Sequence, residues 1–169
     1  MKTAQDVLGF WLDEKSPQDW YAGGDALDAE IRDRFETTWQ AAAEGALGLW
    51  LTCASETLAY IILTDQFSRN MFRGTRQAFA TDGLARAASK MAVNRDWDLR
   101  IKEPARQFFY MPMMHSENLC DQDHAVRLFH TRMPETGHQN IDHAKAHRQI
   151  IRDFGRFPFR NDALSRTNS

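Results

Sequence analysis

The stretch Ser55-Glu56-Thr57-Leu58-Ala59-Tyr60-Ile61-Ile62-Leu63-Thr64-Asp65-Gln66 decides the fold. Leu58, Ala59, Ile61, Ile62 and Leu63 make it apolar on nearly every side of a helical wheel, so it reads as a central helix opened by Ser55 and packed all round. Composition supports helix throughout the chain. Alanine occurs 21 times and valine three times, and alanine loses no side-chain entropy in a helix whereas valine loses χ1 freedom.

On the N-terminal side, Thr3 caps a short helix through Leu12, and Ser16-Pro17 and Gly23-Gly24 separate it from a longer helix, Asp28 to Ala43. Ile31, Phe35, Trp39 and Ala42 form the buried stripe of that helix. On the C-terminal side, Arg69 to Thr75 reads as a turn ending at Gly74, and Thr81 starts a helix to Val93. Glu103 to Tyr110 is a short helix stopped by Pro112, and Ser116 caps a helix from Glu117 to His130. Asn140 or Asp142 begins the last helix, which Gly155 ends. No Ser/Pro/Gly-rich or charged linker interrupts this pattern. The expectation is an all-α single domain over residues 1–169, with a C-terminal strap over 155–169. Antiparallel pairs of helices of about 10 to 16 residues favour an α-α superhelix of about seven or eight helices over a closed bundle.

The chain has 169 residues, 43% hydrophobic and 26% charged, the balance of an ordinary folded domain. A net charge of −2 and a pI near 6.3 supply no field toward nucleic acid or an anionic membrane. The longest apolar run, Phe108 to Met114, falls far short of the roughly 20 residues that span a bilayer, and no basic n-region or cleavage site opens the chain. A cytoplasmic setting without nucleic-acid or membrane partners is expected. Cys53 and Cys120 have no finger or framework spacing and read as reduced thiols. Sixteen arginines against five lysines favour bidentate contacts to carboxylate or phosphate, although a GC-rich genome produces the same bias.

Polar residues on apolar faces are where a site would lie. In the last helix His143, His147, Ile150, Ile151 and Phe154 share one stripe, which turns His147 inward, with Arg148 and Arg152 opposite. Asp65 falls at the buried end of the central helix and needs a partner, for which Arg69, Asn70 and Arg73 stand next in the chain. They form either a structural clamp or a grip on an anionic ligand. Gln122 lies in the middle of the apolar arc of its helix, with Asp121 at the edge. Glu117, Asp121 and His124 share a helix face, but facing ligands of the right kind are missing, so no metal and no cofactor is expected. The segment Gly155-Arg156-Phe157-Pro158-Phe159-Arg160-Asn161 alternates arginine with aromatics, leaving Arg156, Arg160 and Asn161 as ligand contacts.

Three blocks together, Asp65-Gln66-Phe67-Ser68-Arg69-Asn70-Met71-Phe72-Arg73-Gly74, His115-Ser116-Glu117 with Asp121-Gln122, and Gly155 to Asn161, resemble the bacterial family known as domain of unknown function 924. The resemblance runs over nearly the whole chain and implies a tetratricopeptide-like α-α superhelix, with no established activity. It also implies one shared pocket lined by Arg69, Asn70, Arg73, His115, Glu117, Gln122, His147, Arg156 and Arg160. Ser68 stands where the family usually has proline, which should loosen that turn, and Phe159 stands where histidine is common. The chain ends at Thr167-Asn168-Ser169, where similar proteins usually continue into an acidic segment.

These readings favour a module that binds a small anionic molecule or a carboxylate-bearing peptide end, with Arg69 and Arg73 supplying charge. A hydrolase-like enzyme, with or without a metal, using His147 or Glu117 as general base is the first alternative, and a structural or protein-interaction scaffold the second. Composition assigns no oligomeric state.

Overall fold

Thr3 caps the first helix as its position predicts. In the computed structural model, which describes residues 1–168, Thr3 Oγ1 accepts from the Asp6 N–H at 3.2 Å and the Asp6 carboxylate accepts from the Thr3 N–H at 2.8 Å. This capping box starts α1 (Ala4–Leu8), which widens into a π-helical stretch, Gly9–Glu14. Ser16 and Asp19 repeat the device at α2 (Pro17–Ala22), a helix where the sequence predicted only a break. Pro17 in its first turn needs no N–H partner, so Ser16-Pro17 starts a helix instead of separating two. The long α3 (Asp25–Ala43) begins one turn before the predicted Asp28, at an N-cap, Gly24, whose φ of 116° suits glycine alone.

The decisive stretch forms α4 (Ala54–Ile61), a π-helical stretch, Ile62–Phe67, and α5 (Ser68–Met71) without a break. The helical run thus passes through Arg69 and Asn70, where a turn was predicted. Ser68 does not loosen it: its buried hydroxyl donates to the Ala78 carbonyl at 2.9 Å, a bond proline lacks. Residues Met1–Ala88 form one compact unit, in which Phe10, Phe35 and Phe67 are fully buried with ring centroids 4.9 to 5.8 Å apart. Burying each such ring contributes on the order of 2–3 kcal/mol. Trp39 completes this core and donates its indole N–H to Thr81 Oγ1 at 3.2 Å.

The division between the two units falls within α6 (Asp82–Asn94), and the second unit runs from Ser89 onward. Glu103 to Tyr110 is not one α-helix but a 3₁₀ segment, Ala105–Phe109, followed by α7 (Met111–Met114), because Pro112 sits in α7's first turn and opens that helix. Then come α8 (Leu119–Arg132) and α9 (His138–Phe154), which pack on each other. Asn118, not Ser116, caps α8 by accepting from the N–H groups of Cys120 and Asp121. Ser116 instead donates to the Asp121 carboxylate at 2.7 Å. A Cβ on Gly137 would lie 2.5 Å from the Met133 carbonyl, so only glycine lets the chain turn that tightly from α8 into α9. Tyr110, Phe108, Phe109, Phe129, Met113 and Phe157 fill this unit's core. Buried Asp98 is held there by the Tyr110 hydroxyl at 2.5 Å and by Arg132 at 2.9 Å.

The fold is all-α, with no strand among the described residues. No helix among them is long and apolar enough to cross a membrane.

Candidate functional site

Arg69, Asn70 and Arg73 belong to the Met1–Ala88 unit; His115, Glu117, Gln122, His147, Arg156, Arg160 and Asn161 belong to the unit from Ser89 onward. In the first unit Arg69, Asn70 and Arg73 line one cavity of about 280 Å³, together with Gln66, Trp20, Tyr21, Ala22, Gly23 and Gly24. The unbroken run through α5 carries Arg69 and Asn70 to it, and α2 with the glycine pair supplies the opposite wall.

The polar groups around this cavity are held in place by carboxylates. Arg69 Nη1 donates to Asp82 Oδ1 at 2.8 Å and to Asp65 Oδ1 at 3.2 Å, and its Nη2 donates to Asp82 Oδ2 at 3.0 Å. Asp65 therefore has the partner its burial requires. Desolvation lowers the Arg69 pKa, but the charges of Asp65 and Asp82 outweigh it and the net shift is upward. Arg73 forks onto Asp28, Nε to Oδ2 at 2.9 Å and Nη2 to Oδ1 at 3.1 Å, and Asn70 Nδ2 donates to Asp28 Oδ1 at 2.8 Å. Burial pushes the Asp28 carboxyl up, yet the bonds from Arg73 and Asn70 leave it below the usual carboxylate range. Sequence reading missed Asp28 and Asp82 as partners because they lie 45 and 13 residues from their arginines. It also took Gly23-Gly24 as punctuation only.

In the second unit the turn Met114-His115-Ser116 is clamped at three successive carbonyls. Gln122 Nε2 donates to Met114 O at 2.7 Å and to Ser116 O at 2.6 Å, and Arg160 Nη2 donates to His115 O at 2.7 Å. The half-buried His115 ring stands 6.4 Å from that of His147, which meets Phe157 edge-on at 5.5 Å. His147 Nδ1 donates to the His143 carbonyl at 2.7 Å, which leaves Nε2 with the lone pair. Burial lowers the His147 pKa, and the charges of His115, His143 and Arg160 add to this.

The predicted stripe on α9 is only partly inward: Asn140, Ala144 and Ile151 are buried, whereas His143 and Phe154 are exposed because they lie at its edge and in its last turn. Glu117 accepts from both Nη groups of Arg166, at 2.8 and 3.1 Å, and from the Phe157 N–H at 2.6 Å. Desolvation raises its pKa, but the bonds from Arg166 and Phe157 outweigh it and hold the carboxyl below its ordinary range. Arg166 has no signal in the sequence, standing 49 residues from its partner. Arg160 is buried over the Phe157 ring, Asn161 Nδ2 donates to Asn168 at 3.1 Å, and Arg156 bonds the Thr167 carbonyl at 3.4 Å.

A family model described as a bacterial protein of unknown function (DUF924) matches residues 7–169. A solved structure of a protein of unknown function from Agrobacterium tumefaciens is 40% identical, covers 98% of this chain and 92% of its own, and superposes with a TM-score of 0.91. No curated protein matches the chain.

Proposed function

The chain belongs to the bacterial DUF924 family of unknown function, and we propose that it is a binding module whose Met1–Ala88 cavity takes a small carboxylate-bearing ligand or a peptide end. One observation carries this reading: Arg69 and Asn70 at the end of the helical run, and Arg73 in the turn that follows it, line the same cavity as the Gly23-Gly24 backbone. Arg73 uses Nε and Nη2 on Asp28, and its Nη1 makes no hydrogen bond among the described residues. A guanidinium held side-on in this way keeps its remaining edge available to a carboxylate. The free thiols Cys53 and Cys120 suit a reducing cytoplasmic setting.

The test is a thermal-shift screen with amino acids, dicarboxylates and short peptides on wild type and Arg73→Ala. A ligand at about 100 times its Kd adds about 2.7 kcal/mol, or roughly 5–10 °C in Tm for a chain of this size. The expected result is a shift at least halved in Arg73→Ala. Equal shifts in the two proteins refute the reading.

His147 supports a second reading, hydrolysis with His147 as general base. Its Nδ1 is anchored on the His143 carbonyl and its lowered pKa keeps Nε2 unprotonated near neutral pH. Turnover of p-nitrophenyl esters that is lost in His147→Gln would favour it; no turnover by wild type removes it. Glu117 does not share that role, since both its oxygens are engaged by Arg166 and Phe157.

A further inference from the structure

We infer that the ligand of the Met1–Ala88 cavity is a zwitterion, a free α-amino acid with an apolar or aromatic side chain. This rests on the proposed carboxylate-binding role of the same cavity and specifies the rest of the molecule.

The first support is the orientation of two amides. Gln66 Nε2 donates to Asp65 Oδ2 at 3.1 Å, and Asn70 Nδ2 donates to Asp28 Oδ1 at 2.8 Å. An ionised carboxylate only accepts, so each amide must turn its nitrogen toward it and its oxygen to the other edge. Neither Gln66 Oε1 nor Asn70 Oδ1 meets a donor among the described residues, and both side chains line the cavity. The wall that carries the spare Arg73 donor therefore also carries spare acceptors.

Charge balance is the second support. Arg69 and Arg73 are accompanied by Asp28, Asp65 and Asp82, so the cluster has no surplus of positive charge to offer a simple anion. A zwitterion adds no net charge. Its carboxylate meets Arg73 while its ammonium donates to the amide oxygens, so each charged group of the ligand finds a partner of the right kind.

The third support is the shape and lining of the rest of the space. Trp20 is fixed by its indole N–H, which donates to the Trp11 carbonyl at 2.7 Å, and by stacking on Trp11 at 6.0 Å. With Tyr21 and Ala22 it forms an aromatic and apolar wall. A volume of about 280 Å³ lies just under the roughly 300 Å³ at which pockets for drug-sized ligands begin, which suits one amino acid.

Isothermal titration with leucine, phenylalanine, N-acetylphenylalanine and phenylalaninamide separates the two claims. The expected result is binding of leucine or phenylalanine, with phenylalanine weakened at least about tenfold by capping either its amine or its carboxylate, the loss of one charged hydrogen-bonded contact. Gln66→Met should weaken the free amino acid by a similar factor and leave the weak binding of N-acetylphenylalanine unchanged. If N-acetylphenylalanine binds as tightly as phenylalanine and still needs Arg73, the zwitterion is overturned while the carboxylate site stands. If none of the four binds at about 10 mM, or if Arg73→Ala changes nothing, both are overturned. A circular dichroism spectrum and Tm for each variant separate lost binding from lost folding.

Discussion

Replacing Glu117 by Gln and Arg166 by Met, singly and together, measures how firmly the C-terminal strap is anchored. Glu117 accepts three hydrogen bonds, two from Arg166 and one from the Phe157 N–H. Side chains 26% and 24% exposed place this pair between an open surface bridge, worth about 0–1 kcal/mol, and a buried one, whose rupture costs about 3–5 kcal/mol. Glutamine is nearly isosteric but has a single acceptor oxygen and no charge, so Glu117→Gln should cost about 2 kcal/mol. For a chain of this length that lowers Tm by roughly 4–8 °C. The double variant should cost less than the sum of the singles, with a coupling of about 1–1.5 kcal/mol. Urea unfolding of the four proteins gives these values, and amide exchange at Phe157 and Arg160 tests whether the loss is local to the strap. Because the Glu117 pKa is held below its ordinary 4.5, its contribution is complete above that pH and is lost as pH falls through the folded-state value. The wild-type advantage over Glu117→Gln should therefore persist at pH 6 and shrink below about 4.5. A coupling under about 0.3 kcal/mol, or an advantage independent of acid, refutes the reasoning.

Arg132→Met should be costlier, about 3 kcal/mol by urea unfolding, because Asp98 is fully buried and would keep the Tyr110 hydroxyl but lose its cation. Adding Asp98→Asn should recover part of that loss; a double variant weaker than Arg132→Met by a further 2 kcal/mol or so contradicts this account. His124 and His147 both have pKa values lowered first by burial, so folding favours their neutral forms. The stability this contributes is complete above the ordinary 6.5 and falls as pH drops through the folded-state values, so Tm should decline from pH 7 to 5 and decline less in His147→Gln. Identical slopes in the two proteins would show that His147 is not the group responsible.

Asp65 and Gln122 were legible as inward polar residues because helical periodicity is local. The wheel turned Gln122 into the core, where it is fully buried, and found that Asp65 needed a partner, which it receives from Arg69 one turn later. The same reasoning put Asp121 at an edge, yet it is 7% exposed, bonded to Ser116 and Lys90. A further error, in where α8 starts, came from its cap. Ser116 and Asn118 both carry side chains able to cap a helix, and tertiary partners decide which one does.

Residue order along the chain determined the all-α class, the central position of the Leu58–Leu63 run and the resemblance that the family match upholds. These depend on propensity and on spacing within one or two turns, which a linear sequence records in full. Tertiary structure alone decided the partners of the charged groups that pair over long separations: Arg73 meets Asp28 across 45 residues and Glu117 meets Arg166 across 49. Coulombic and hydrogen-bond energies depend on distance in space, and no periodicity encodes which of many carboxylates a given arginine will reach once the backbone has folded.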